Sequence, residues 1–276
     1  MTTAESRETP LYTLDAFASH SFYQDVNRRL VELTGLKPGQ HVVDLGAGTG
    51  AVTRLLAEQV QNGDASVIAI EPSDTAIGAA RRNLADLRHG LVRFVHGSAE
   101  NLNSLVSEPV DAVFFCNAIH LVPEKEVVLQ QIRQALREDG TFSFSTTFYL
   151  GAEPPESEAF YRKWMMKSLR VLKTEYRISP DKTKVEARNR LTRDDYVKLL
   201  EDNGFKIEKI EVMQVEMPLS SFESISEYSL WIEGVLPGVP FEEGAASLRE
   251  GSRQAFQELG LKFSPRNWLL VVASRS

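Results

Sequence analysis

Between His41 and Phe148, short continuous apolar runs alternate with longer stretches of helical periodicity, and this alternation constrains the fold more than any other feature of the chain. Unbroken apolar runs mark strands buried on both faces, and the stretches between them mark crossover helices. The strand candidates are HVVDLG, SVIAIE, LVRFVH, DAVFFCN and TFSFSTTF. After the first, Val52, Leu55, Leu56 and Val60 recur at helical spacing, and Gly63 supplies a left-handed stop. After the second, Ser73 or Asp74 caps a helix with the stripe Ile77, Ala80, Leu84 and Leu87, ended by His89-Gly90. A third helix starts near Pro123 and buries Val128, Leu129, Ile132 and Leu136. Asp139-Gly140 then turns the chain into the fifth strand. Such repetition predicts an α/β fold with a doubly wound, mostly parallel sheet.

The pattern changes at Gly151. GAEPPESE leads into a stretch rich in aromatic, methionine and basic residues, read as an inserted helical cap over 151–190. Core periodicity resumes at Thr192, where T-R-D-D fits a capping box. Tyr196, Leu199 and Leu200 face inward, and Gly204 ends the helix before the strand KIEKIEVMQVEM. A second helical insertion covers about 220–260, and WLLVVA reads as a last strand. At 276 residues the chain is expected to form a single domain. Its parts are an N-terminal lid (about 11–35), a ligand-binding core (about 38–150), the cap (about 151–190), and C-terminal strands with the second insertion (about 191–276).

The balance of 31 basic against 38 acidic residues gives a net charge of −7, which argues against nucleic acid as the main partner. A lone cysteine, Cys116, excludes an intramolecular disulfide and a zinc site of paired thiolates, and no metal is expected. MTTAESRETP has no apolar secretory core, and no run approaches membrane-spanning length. The expectation is a cytoplasmic protein, monomer or homodimer, with a small-molecule substrate.

The strongest local signal is Asp44-Leu45-Gly46-Ala47-Gly48-Thr49-Gly50, set between a strand and a helix, where bare backbone approaches a ligand at the helix N-terminus. Gly46, Gly48 and Ala51 alone also satisfy the G-x-G-x-x-A dinucleotide fingerprint. Asp44 separates the readings, because a carboxylate at the strand mouth repels a diphosphate and welcomes a cation.

The segment Asp44–Gly50 resembles the acidic-x-Gly-x-Gly-x-Gly motif of class I S-adenosylmethionine-dependent methyltransferases. Three further positions agree in order. Glu71 ends the second strand where the family's acidic residue takes both ribose hydroxyls, and Pro72 follows where a side chain packs on adenine. Gly97-Ser98-Ala99-Glu100 resembles the adenine-edge segment, with Ser98 where many members have aspartate. Asn117-Ala118-Ile119-His120 resembles the segment bordering the methionine moiety and the acceptor. REDGTFSFS matches the family's turn into strand five. The resemblance covers roughly 38–150 plus the two C-terminal strands, and it is similar in style to the ubiquinone-pathway, trans-aconitate and malonyl-carrier-protein methyltransferases. It implies a seven-stranded Rossmann-like sheet, S-adenosyl-L-methionine as cofactor with S-adenosyl-L-homocysteine as product, and methyl transfer to an O, N or C nucleophile. The implied cofactor residues are Asp44, Gly46, Ala47, Gly48, Gly50, Glu71, Pro72, Ser98, Ala99 and Asn117. His120 is the candidate general base, set against the plainer reading of a histidine at a strand end.

Phe17 and Tyr23, in a segment that also holds Tyr12, His20 and Phe22, are lid candidates or else line a helix packed on the sheet. Cys116 reads as a small apolar residue, and Ser98 and Glu100 read equally well as helix caps. Residues 161–190 hold ten Lys or Arg against three Asp or Glu, and 218–250 hold six Glu against one Arg. A solvated face, or pairing with that acidic stretch, is the favoured reading. The sharper one has Arg162, Lys163, Lys167 or Arg170 meet an anionic substrate beside an apolar wall of Tyr161, Trp164 and Met165. Rival functions are an NAD-dependent oxidoreductase and a non-catalytic cofactor-binding protein. Nucleic-acid methylation lacks its Asn/Asp-Pro-Pro-aromatic run after strand four.

Overall fold

The structure of the protein, a computed structural model, describes residues 14–182, 186 and 189–276. Tyr12, the first residues of the expected lid and part of the basic cap segment lie outside that range. The strands are β1 (His41–Leu45), β2 (Ser66–Glu71), β3 (Val92–His96), β4 (Val110–Cys116), β5 (Leu136–Thr146), β6 (Phe205–Pro218) and β7 (Phe263–Arg275). They form one sheet in the order β3-β2-β1-β4-β5-β7-β6. β1 to β5 run parallel, and β7 is antiparallel to both β5 and β6.

Alternation along β1 explains the two layers. Val42 belongs to the core on one face and Val43 to the core on the other, and both are fully buried. The first face is covered by α2 (Ser21–Thr34) and α3 (Ala51–Val60), and the second by α6 (Lys125–Ala135) and α8 (Arg193–Asp202). The capping box at Thr192 forms as expected, with Thr192 accepting from the Asp195 N–H and Asp195 accepting from the Thr192 N–H. The preceding short helix α1 (Asp15–Ala18) leads into α2.

Three boundaries depart from the sequence pattern. α4 (Asp74–Asn83) is capped by Ser73 but ends at Asn83, so Leu84 and Leu87 lie beyond it although the stripe includes them. Asn83 Nδ2 donates to the Thr49 carbonyl, and Arg54 binds both the Asn83 carbonyl and Asp86, which draws the chain off the helix axis. The Asp139-Gly140 turn sits inside β5 as a bulge. Val110 faces Leu136 and Ala112 faces Thr141, so Arg137–Gly140 loop out, with Asp139 at φ 59°. β7 is 13 residues long, well beyond WLLVVA, because its ladder with β6 continues out to Pro218 and Phe263.

The insertions build one cap. α7 (Pro155–Val171), which ends in a π-helical turn at Leu172–Tyr176, packs along α11 (Phe241–Leu259). The helices meet at Gly251, where a Cβ would lie 2.2 Å from Ser168 Oγ. α9 (Leu219–Ile225) and α10 (Ser229–Val235) close the cap over the carboxyl ends of β1 and β4. Among the described residues, no helix is long and apolar enough to cross a membrane.

Candidate active site

β1 and β4 are neighbours whose chain connections leave in opposite directions, so a crevice opens beyond their carboxyl ends. It is a cavity of about 540 Å³. Gly46, Ala47, Gly48 and Thr49 form its floor, Glu71, Pro72, Ser98 and Ala99 one wall, and Cys116 and Asn117 the wall from β4.

The glycine loop needs its glycines for stated reasons. Gly46, Gly48 and Gly50 have φ of 69°, 53° and 92°, and a Cβ on Gly50 would lie 2.8 Å from Leu84 Cδ1. The amides of Gly46 and Ala47 donate to the Ile70 carbonyl and that of Gly50 to the Ala47 carbonyl. Gly48 N–H donates to Glu71 Oε2 at 2.9 Å, and Ser73 N–H donates to Glu71 Oε1 at 3.0 Å. The Glu71 carboxylate therefore sits on the loop itself. Burial raises its pKa, opposed by those two amides and by His96.

Asp44 is placed differently from the sequence expectation. It is buried beneath the loop rather than lining the cavity, and Oδ2 accepts the Thr53 hydroxyl at 2.6 Å. Burial, with the Glu71 charge adding to it, pushes its pKa up to about 7 against the Thr53 hydrogen bonds. Gly50 also lies outside the main cavity, as the residue that starts α3. Ser98 lines the cavity and makes no side-chain cap.

Asn117 holds a left-handed backbone at φ 51°. Its amide donates to the Ser145 carbonyl and its Oδ1 accepts the Thr147 N–H, which ties the ends of β4 and β5 together. Asn117 borders the main cavity and two smaller ones behind it, of about 60 and 30 Å³.

His120 lines the 60 Å³ cavity, not the large one. Its ring stacks on Phe148 with centroids 3.9 Å apart. Burial, then the charges of Lys125, Arg190 and Arg266, push its pKa down to about 3, so the imidazole is neutral near pH 7 and a weak proton acceptor. Cys116 is buried against the main cavity, and burial together with the Asp44 charge pushes its thiol up.

Of the lid and cap candidates, Tyr23 lines the main cavity, whereas Phe17, Tyr161 and Trp164 border the 30 Å³ one. Trp164 is a buried structural ring whose Nε1 donates to the Leu248 carbonyl at 2.7 Å. Met165 packs against the cap core. Lys163 and Lys167 both bind Glu258 on α11, so those two basic residues are taken up by cap pairing, with a partner outside the acidic stretch named from sequence.

The sequence reading missed the roof. Leu14, Ala18, Tyr228, Ser229 and Leu230 cover the main cavity, and Trp231 covers the smaller ones. It also missed a buried charge network. Arg266 donates to Thr147 Oγ1, to the Thr147 carbonyl and to Glu153, and Arg190 donates to both oxygens of Glu153. The clustering of Tyr228 and Trp231 in the second insertion was the one available signal. Among the described residues, no group of three or more His, Cys, Asp or Glu is placed to hold a metal ion.

Comparison with known proteins adds a match over part of the chain. Residues 42–140 match the family described as "Methyltransferase domain". The chain is 34% identical over 127 residues to a probable S-adenosylmethionine-dependent methyltransferase, CRG1, of Saccharomyces cerevisiae, covering 45% of this chain and 41% of that one. It is 33% identical over 138 residues to the ubiquinone/menaquinone biosynthesis C-methyltransferase UbiE of Rubrivivax gelatinosus, covering 48% and 49%. The chain thus spans about half or less of the length of these relatives. In fold it is similar to the cyclopropane synthase MmaA2 of Mycobacterium tuberculosis, with a TM-score of 0.58 at 15% identity, covering 97% of this chain and 87% of that one.

Proposed function

We propose, from the match of residues 42–140 to the methyltransferase-domain family and from the crevice described above, that the chain is a class I S-adenosylmethionine-dependent methyltransferase that transfers a methyl group from S-adenosyl-L-methionine to a small-molecule acceptor. The observation that carries this reading is the carboxylate seated on the glycine loop. Four loop amides already have partners within the protein, one of them Glu71, and Asp44 lies just beneath. A diphosphate there would meet two acidic side chains and few free donors, whereas a sulfonium and an ammonium are favoured by both.

The cavity fits the cofactor. Glu71 keeps lone pairs for a ribose diol beyond those used by Gly48 and Ser73, and no atom outside the loop lies within 4 Å of where a Gly48 Cβ would stand. Pro72, Ser98 and Ala99 would border adenine, and Asn117 the methionine end. When bound, the sulfonium supplies an activated methyl whose departure leaves a neutral thioether. The protein's own contribution is alignment and exclusion of water, and orientation supplies up to about 7–11 kcal/mol of barrier lowering in favourable cases. Tyr23 lines the cavity, Tyr228 and Leu230 cover it, and Asn117 ties β4 to β5 at the point where cofactor and acceptor would meet.

Calorimetry and thermal unfolding with S-adenosylhomocysteine and with NADH test the assignment. S-adenosylhomocysteine at a hundred times its Kd is expected to stabilise the protein by about 2.7 kcal/mol. Glu71→Ala is expected to weaken its binding at least tenfold, because two charge-assisted hydrogen bonds are lost together. Stabilisation by NADH and none by S-adenosylhomocysteine would overturn the reading.

A further inference from the structure

The 60 Å³ cavity behind Asn117 shares Leu14, Asn117, Leu121, Tyr228 and Leu230 with the main cavity, so the two are contiguous. Its walls are aromatic. Phe148 lies between His120, stacked on it, and Trp231, tilted 56° to it at 5.8 Å. Trp231 in turn stacks on Trp164. A recess of about 60 Å³ between ring faces and ring edges suits a small flat group.

Its polar groups set the chemistry of what fits. His120 Nδ1 and Trp231 Nε1 are buried and make no hydrogen bond within the protein. Both residues line this cavity. The face of the imidazole is taken by Phe148, so the ring offers its edge. An indole N–H donates only, so its partner must be an acceptor atom such as oxygen. Charge points the same way. Arg190 lines the cavity, and it shares the single carboxylate of Glu153 with the buried guanidinium of Arg266. Two guanidiniums on one carboxylate leave an excess of positive charge, whereas Lys125 nearby is balanced by Glu186. An aromatic slot would also suit an ammonium ligand through its ring faces, but that excess charge opposes it.

We infer, building on the methyl-transfer reading above, that this cavity seats one end of the acceptor. That end is the carboxylate or other small oxygen-acid group of a conjugated acceptor, held by the edges of His120 and Trp231 and by the field of Arg190. The acceptor's ring lies toward the main cavity, because about 60 Å³ is well under the roughly 150 Å³ that takes a benzene ring. The cap lysines Lys163 and Lys167, tied to Glu258, take no part in that recognition.

Benzoate, benzyl alcohol and benzylamine, titrated calorimetrically into the protein saturated with S-adenosylhomocysteine, test this in the wild type without a variant. Benzoate is expected to bind at least tenfold more tightly than benzylamine, with benzyl alcohol between them. Trp231→Phe and His120→Phe keep the rings and remove the nitrogen atoms. Each is expected to weaken benzoate binding about five- to tenfold while S-adenosylhomocysteine affinity stays within twofold of wild type. Equal binding of benzoate and benzylamine overturns the proposal, as does wild-type benzoate affinity in both Phe variants. If S-adenosylhomocysteine fails to bind the wild-type protein, the methyl-transfer reading falls first. If it binds and benzoate does not, the acceptor assignment alone is lost.

Discussion

Asp44 offers the sharpest test of the electrostatics beneath the glycine loop. Its carboxyl is 1% exposed and its pKa stands at about 7, against an ordinary value of 3.8 in the unfolded chain. Between those values the folded state binds more protons than the unfolded state, so this group's contribution to stability falls as pH rises and is fully lost above about pH 7. This is the reverse of the usual carboxylate behaviour. One pKa unit is worth about 1.4 kcal/mol, so the loss is about 2 kcal/mol between pH 5 and pH 7 and about 3 kcal/mol by pH 8.5. Asp44→Asn keeps an oxygen for the Thr53 hydroxyl and carries no charge at any pH. Urea unfolding of the ligand-free proteins at pH 5, 6, 7 and 8.5 is expected to show the variant gaining on wild type by about 3 kcal/mol across the series. Titrating groups remote from Asp44 cancel in the comparison, whereas Glu71, whose charge acts on Asp44, adds a smaller change of its own. S-adenosylmethionine binding, which draws on the ionised form, is expected to weaken in the variant and to depend less on pH between 6 and 8. A stability difference that stays flat with pH would refute the reasoning.

Gly50→Ala puts a Cβ at φ 92° and 2.8 Å from Leu84 Cδ1, and is expected to cost about 1–3 kcal/mol in urea unfolding. The combined variant Arg162→Gln, Lys163→Gln, Lys167→Gln, Arg170→Gln is expected to leave S-adenosylhomocysteine and benzoate affinities within twofold of wild type. Its largest effect is the loss of two surface pairs to Glu258, which water and salt screen. A tenfold loss of benzoate binding in that variant would return anion recognition to the cap.

The parts legible in sequence are those governed by local rules. β1, β2 and β4 are buried on both faces, and their unbroken apolar runs reported that directly. The loop from Asp44 to Gly50 was readable because left-handed backbones at three alternate positions favour glycine. Thr192 and Asp195 cap a helix within four residues of chain. The unread parts depend on distant partners. α4 stops at Asn83 because Asn83 meets Thr49, and no periodicity in 74–90 contains that fact. Arg266 is separated from Thr147 by 119 residues and from Glu153 by 113, so the charged rear wall of the site has no sequence signature. The placement of Asp44 shows a third kind of limit. Its residue type was read correctly as acidic at the strand mouth, yet alternation along β1 decides whether such a side chain faces the crevice or Thr53 on α3, and sequence gives the face only relative to its neighbours.

The two ends of the cavity carry opposite fields, and that polarity has a chemical consequence. Glu71 and Asp44 lie at the cofactor end, while Arg190 and Arg266 share one carboxylate at the far end. If the acceptor is an anion, as proposed above, it and a cationic sulfonium would each be met by opposite charge. In methyl transfer to an oxygen anion those two charges annihilate, so the transition state is less charged than the bound reactants. A poorly solvated site then favours the transition state over the ground state. The products are a neutral thioether and a neutral ester or ether, for which neither field has much affinity, and release is eased. Linkage makes this testable at equilibrium. A charge on the cofactor that attracts the acceptor must strengthen acceptor binding by the same factor that the acceptor strengthens cofactor binding. Benzoate is therefore expected to bind several-fold more tightly to the protein loaded with S-adenosylmethionine than to the protein loaded with S-adenosylhomocysteine. Equal affinities in the two loaded forms would show that the ends of the cavity do not communicate through charge.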